Sequence, residues 1–228
     1  MPFATRRVRP IVLALAALAV LPMLAKHHPE PPTIDESRLG MLNDNTHRAE
    51  RRAALDTVMI HFMSNVVANR TDPFDIDDCV GIFNRYGVSA HFIIGRDGTI
   101  FRLLPDSATG FHAGRVDPAQ ADDPRMKQMN DRSVGIELLA IGSKREMGIY
   151  LTAAEYDELV RRNPEFVGYT HEQYDAVTWL VRRLAADHEA IELTREHVIG
   201  HDEYAGNRKN DPGELFDWSR LGLAEGPE

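Results

Sequence analysis

The segment 200–213 reads GHDEYAGNRKNDPG and sets His201, Arg208, Lys209 and Asp211 among glycines and a proline. A purely structural loop seldom needs imidazole, ammonium and carboxylate together. A reactive site does: imidazole nitrogen and carboxylate oxygen are zinc ligands, and an ammonium stabilises developing negative charge. His201 and Asp211 stand ten positions apart, too irregular for a helix pair, so the loop must fold back to bring both inward. Two donors do not make a metal site. His61, near the end of the apolar run TVMIHF at 57–62, is the natural third. An isolated histidine on an apolar strand also serves as a core residue donating to a backbone carbonyl, and spacing leaves both readings open.

The elements that must deliver these groups alternate between strand and helix. Thr57–Phe62 is β-rich and apolar and reads as a buried strand. Asp75 to Tyr86 has helical spacing, with Ile76, Cys79, Val80 and Phe83 on one face and Gly87 as a C-terminal cap. His91–Gly95 and Thr99–Leu104 are joined by Arg96-Asp97-Gly98, a hairpin signal because glycine tolerates the positive φ of the turn. Ser133–Ala140 (SVGIELLA) reads as another buried strand. Thr152-Ala-Ala-Glu155 and Thr170-His-Glu-Gln173 are capping boxes that open two helices. In the second, Tyr174, Val177, Val181 and Leu184 form a face that should cover a sheet. A short strand at His197–Ile199 leads into the polar loop. The sum is a single α/β domain with a mixed central β-sheet flanked by helices, whose strand ends deliver polar residues to one rim.

Composition narrows the function. The 228 residues carry a net charge of -9, with 35 acidic against 26 basic side chains. A nucleic-acid binder needs a basic surface to displace counterions, so that class has no support. The single cysteine, Cys79, rules out an intrachain disulfide framework and a cysteine-rich zinc module. Residues 1–25 read as a signal peptide: Arg6, Arg7 and Arg9 precede an apolar run, 11–24, shorter than the roughly 20 residues of a membrane span. Export to a periplasmic or extracellular location is the expectation, with an uncleaved signal anchor tethering the chain as the alternative. Residues 26–49 read as a linker and 50–228 as the working domain.

Six ordered motifs then carry a resemblance: MIHF at 59–62, VSAHFIIGRDGTIFRLLP at 88–105, FHAG at 111–114, SVGIEL at 133–138, YTHEQY at 169–174 and GHDEYAGNRKNDPG at 200–213. Together they span most of the chain beyond the leader. The sequence resembles the zinc-dependent N-acetylmuramoyl-L-alanine amidases of the type 2 family, relatives of phage lysozyme-type amidases and peptidoglycan recognition proteins. The resemblance implies that fold, and a Zn2+ ion held by His61, His201 and Asp211 with a fourth position open for water. It implies Glu137 as general base and Lys209 as the partner of the substrate carbonyl. The bond it names is the amide between N-acetylmuramic acid and the L-alanine of the stem peptide, with peptidoglycan or muropeptides as partner and the chain acting as a monomer. A non-catalytic peptidoglycan-binding module is the alternative. Such proteins commonly lose a zinc ligand, whereas here all three stand with Glu137 and Lys209.

His112, in FHAG, is expected either to touch substrate or to serve structure. Asn65 and Arg70 are expected on a rim loop within reach of substrate, and His91 in packing. The sequence departs from the family in having Met63 two positions after His61, where threonine is frequent. Residues 142–169 read as an insertion of mixed charge, a helical surface arm.

Overall fold

The computed structural model describes residues 32–224. Its centre is a six-stranded sheet of order β1-β5-β4-β7-β3-β8, built from β1 (Ile34–Asp35), β3 (Thr57–Met63), β4 (Phe92–Ile94), β5 (Ile100–Arg102), β7 (Ser133–Leu139) and β8 (Val198–Gly200). β4 and β5 are antiparallel through the Asp97-Gly98 turn, in which Gly98 takes φ 82°; the other neighbours are parallel. The sheet is therefore mixed. A second, two-stranded sheet pairs β2 (His47–Arg48) with β6 (Thr109–Gly110).

The central strands are long apolar runs because both faces are covered. Val58, Ile60, Val134, Ile136 and Leu138 point to one face and pack against α5 (His171–Asp187) through Tyr174, Val177, Leu180, Val181 and Leu184. Ile93 and Leu139 point to the other and meet Cys79, Val80 and Phe83 of α1 (Ile76–Tyr86). Two short helices, α2 (Met129–Arg132) and α3 (Lys144–Met147), follow α1 in the chain, and both expected capping boxes form, at Thr152 before α4 (Ala153–Arg162) and at Thr170 before α5. Side chains alternate along a strand, so the face opposite α5 also receives His61, Ser133, Gly135 and Glu137.

Three expectations change. Part of the stretch expected as linker, 26–49, is built into the domain: Ile34–Asp35 extends the sheet beside β5, and His47–Arg48 pairs with β6. Two-residue strands carry too little periodicity to stand out in a polar sequence. The polar loop after β8 begins with a short helix, α6 (His201–Ala205). The alternative of a membrane tether is also corrected: among the described residues no helix is long and apolar enough to cross a membrane. The signal segment 1–25, with its apolar run, lies outside the described residues.

His91 occupies the core as expected. Its Nδ1 accepts from Gly135 N at 3.1 Å, and its Nε2 lies 2.8 Å from Arg51 Nη2. Burial, with Arg51 adding to it, brings its pKa down to about 3. The unfolded chain binds a proton near pH 6.5 that the folded chain does not bind until about pH 3. Stability therefore rises with pH through that window, by at most about 1.4 kcal/mol per unit from this one group. Urea unfolding at pH 7.5, 6 and 4.5 should show falling stability. The His91→Asn variant, which keeps an acceptor for Gly135 N, should show a shallower fall.

Candidate active site

The parallel register of β3 and β7 sets His61 directly beside Glu137, with Ile93 on the far side. β8 runs parallel to β3 and ends at Gly200, so His201, the next residue, emerges at the same rim. The chain returns ten residues later: Asp202 N donates to Asp211 O at 2.8 Å, closing the loop that carries Asp211 inward. His61, His201 and Asp211 are all buried, and one donor atom from each lies within 4.8 Å of the others. Asp211 Oδ2 is 2.8 Å from His61 Nδ1 and 3.0 Å from His201 Nδ1.

The far side of each ring shows what belongs between these atoms. His201 Nε2 lies 2.9 Å from the carbonyl oxygen of Ala113, which only accepts, so Nε2 carries the proton. In the neutral ring Nδ1 then turns a bare lone pair toward Asp211. Burial and the neighbouring His201 bring His61 down to about 4, so its ring is neutral at pH 7. Burial alone would raise the Asp211 carboxyl, but the polar edges of the His201 and His61 rings beside it outweigh burial and hold it well below the usual carboxylate range. Two neutral imidazoles and an ionised carboxylate are the protonation states in which all three donate to a cation. Two nitrogens and one oxygen suit Zn2+ with a position to spare. The residues fit the ion.

Glu137 is buried, and its Oε2 has no hydrogen-bond partner. Burial, with Asp211 adding to it, pushes its pKa up to about 8, against the pull of Lys209. A cation at the three donors favours the carboxylate instead. Lys209 is half-buried, and its charge is felt by both His61 and Glu137. Cys79 is no nucleophile, since burial and then Glu137 push its thiol up to about 12.

The other expected residues sit further from the donors or serve them indirectly. Asn65 Nδ2 donates to Asp78, and Arg70 pairs with Glu155 on α4, both on the exposed rim. His112 is buried with its ring edge against His61, and its nitrogens face protein atoms. The segment 142–169, expected as a surface arm, has its own apolar cluster, in which Met147, Leu151, Tyr156 and Leu159 pack with Val66. It also braces the Asp211 loop. Tyr169 Oη donates to Pro212 O at 2.6 Å, and Asn210 Nδ2 donates to Glu146 O at 3.2 Å. The Glu146 carboxylate, 1% exposed, accepts from Ser143 N and from Glu214 N, both at 2.7 Å. Glu146 and Asn130 carried no signal in the sequence, because their partners lie far along the chain. Asn130 Oδ1 accepts from His112 N and Ala113 N.

A mixed sheet presenting two histidines at its strand ends, with an aspartate from the returning loop and a buried glutamate beside them, defines a single-ion zinc site of hydrolase type. The sequence profile described as N-acetylmuramoyl-L-alanine amidase matches residues 50–214, and the chain belongs to that family. Among curated proteins, 1,6-anhydro-N-acetylmuramyl-L-alanine amidase AmpD of Salmonella typhimurium (strain SL1344) is 32% identical over 134 residues, 59% of this chain and 55% of that protein. N-acetylmuramoyl-L-alanine amidase AmiD of Escherichia coli (strain K12) is 26% identical over 154 residues, 64% of this chain and 48% of that protein. The chain thus spans about half the length of the curated relatives it matches. The same fold occurs in the complex of N-acetylmuramyl-L-alanine amidase AmiD from E. coli with the substrate anhydro-N-acetylmuramic acid-L-Ala-D-gamma-Glu-L-Lys, with TM-score 0.53, 24% identity and 77% of this chain and 60% of that chain covered. It also occurs in AmpDh3 from Pseudomonas aeruginosa in complex with anhydromuramic pentapeptide, with TM-score 0.53, 20% identity and 79% and 64% covered.

Glu146→Ala removes the acceptor from two part-buried N–H groups, those of Ser143 and Glu214, and each lost hydrogen bond costs about 0.5–1.5 kcal/mol. Denaturant titration should show that loss. Zinc affinity, read by chelator competition, should fall with it, because one of the two donors is Glu214 N on the Asp211 loop.

Proposed function

We propose that this protein is a zinc-dependent amide hydrolase that cuts between N-acetylmuramic acid and L-alanine in peptidoglycan or muropeptides, acting as a monomer through residues 50–228. The observation that carries the reading is the convergence of His61, His201 and Asp211 beside Glu137, whose Oε2 has no partner within the protein. The names of the relatives support the bond, and a site assembled from one chain supports the monomer.

His61, His201 and Asp211 would hold the ion, which when bound supplies Lewis-acid chemistry at the scissile carbonyl and acidifies water. Glu137 is placed to take a proton from the attacking water at its free Oε2 and to return it to the departing alanine nitrogen. Its buried setting suits this shuttle, because burial and the cation pull the carboxyl in opposite directions and leave both protonation states within reach. Lys209 brings an ammonium to the same rim, where it stabilises the oxyanion that develops as the amide carbon becomes tetrahedral. Asn65 and Arg70, on the rim loop after β3, would line the approach of the glycan or the stem. Among possible substrates, anhydromuropeptides gain weight from the names and bound ligands of the relatives.

Purified peptidoglycan and anhydromuropeptides, incubated separately with the chain and read by mass spectrometry, should release free stem peptides beginning at L-alanine. Chelation should abolish the release and zinc restore it. Glu137→Gln should lower the rate by about 10²–10⁴-fold while zinc stays bound. Cleavage between sugars or within the stem would overturn the assignment.

A further inference from the structure

His61 has two ring nitrogens, and only one can serve the ion. Nδ1 faces Asp211, so for Nδ1 to offer its lone pair the proton must reside on Nε2. That nitrogen lies 3.0 Å from His112 Nδ1 in a fully buried contact. A proton on His61 Nε2 therefore makes His112 Nδ1 the acceptor, and the His112 proton must sit on its own Nε2. His112 Nε2 is 3.2 Å from Ser133 Oγ, and Ser133 Oγ donates to Met129 O at 2.6 Å. A backbone carbonyl has no proton to give, so the hydroxyl proton points at Met129 and its lone pairs at His112. Every donor in the row has one acceptor, and the direction is set at the far end by a group that cannot reverse it.

We propose that His112 is a positioning residue of the metal centre: by accepting from His61 Nε2, in a row anchored through Ser133 on the Met129 carbonyl, it holds His61 in the tautomer and orientation that aim Nδ1 at the ion. The proposal rests on the zinc site put forward above. It replaces substrate contact as the role of this residue.

Two further observations fit. Gly135, in register with Met59 on the same sheet face, leaves room for the imidazole: a Cβ there would stand 2.6 Å from His112 Cγ. The next residue along the chain does for His201 what His112 does for His61, since the Ala113 carbonyl accepts from His201 Nε2. One short loop thus orients both histidines. That loop is itself held, by Asn130 Oδ1 on its two N–H groups and by Arg208, whose Nη2 donates to Ala113 O at 2.6 Å and whose Nε donates to Arg115 O at 3.0 Å. The Arg208-Lys209 pair therefore divides its work, with the arginine on the loop and the lysine at the rim.

His112→Phe keeps a ring of similar size but leaves His61 Nε2–H without an acceptor. His112→Asn returns an amide oxygen near the place of Nδ1. Competition with a zinc chelator should show affinity reduced about 10–100-fold in His112→Phe, the range for loss of a partner behind a metal ligand, and largely recovered in His112→Asn. Melting of the metal-free forms separates this from misfolding, because a purely structural defect would lower the metal-free midpoint without rescue by asparagine. Two-bond nitrogen–proton correlation spectra of the unaltered zinc-loaded chain should show His61 and His112 each protonated at Nε2, a readout that needs no variant. Zinc affinity unchanged in His112→Phe with only KM raised would overturn the proposal in favour of substrate contact. A proton on His112 Nδ1 in the loaded chain would also overturn it. Failure of the unaltered chain to bind zinc would remove the metal centre itself, a result distinct from either.

Discussion

Everything at the rim of the sheet depends on burying lone pairs without burying repulsion. His61, His201, Asp211 and Glu137 occupy one buried neighbourhood, and three of them turn lone pairs toward a common point. An uncompensated buried carboxylate is costly, and a cluster of acceptors facing one another costs more. A cation at the centre relieves that cost, provided each outer atom is matched to a partner. The surrounding architecture supplies those partners. The Ala113 carbonyl serves His201, His112 serves His61, and the loop closed by Asp202 and Asp211 keeps the aspartate from swinging to solvent.

The parallel sheet is what makes the cluster reproducible. Strand pairing in register gives His61 and Glu137 one fixed relation that no side-chain rearrangement can change, because seven consecutive residue pairs between β3 and β7 would have to slip together. The core behind them is deep and apolar, with Val58, Ile60, Ile136 and Leu138 fully excluded from solvent. Those side chains turn to α5, and the alternate positions are thereby committed to the face that carries His61 and Glu137. The division of labour between the two faces follows from the two-residue period of a strand.

The loops are less protected by register and are braced instead by polar contacts. Asp211 stands at the end of a loop whose far side is tied to the segment 142–169 by Tyr169, Glu146 and Asn210. That segment earns its place by packing its own apolar cluster onto Val66, close to the strand that carries His61. It is a buttress for a ligand loop and not a detached arm. Arg70 joins the same region from the other side through an exposed ion pair with Glu155, which links the rim loop after β3 to the segment 142–169.

Spacing left His61 open and only the family resemblance named it, but the strands, the helices with their caps, the hairpin at Gly98 and the donors His201 and Asp211 were legible in the chain alone. Each is written in local pattern: apolar alternation, helical spacing, capping boxes, and a loop too rich in chemistry to be only a turn. The two-residue strands β1 and β2 were not legible, because two residues have no period and their partners lie about 60 positions away. Nor was the role of His112, for which the sequence left substrate contact and a structural part both open. Its meaning comes from His61 at 51 positions and Ser133 at 21, contacts that exist only once β3, β7 and the loop after β6 are brought together. Glu146 is the same case, a carboxylate in a charged stretch that becomes buried when the Asp211 loop closes over it. The sequence by itself determined which groups could bind a metal and do hydrolytic chemistry, since that is a property of residue type. The tertiary structure decided which nitrogen of each histidine faces inward and what holds it there, because a tautomer is set by its hydrogen-bond partner and the partner is set by the fold.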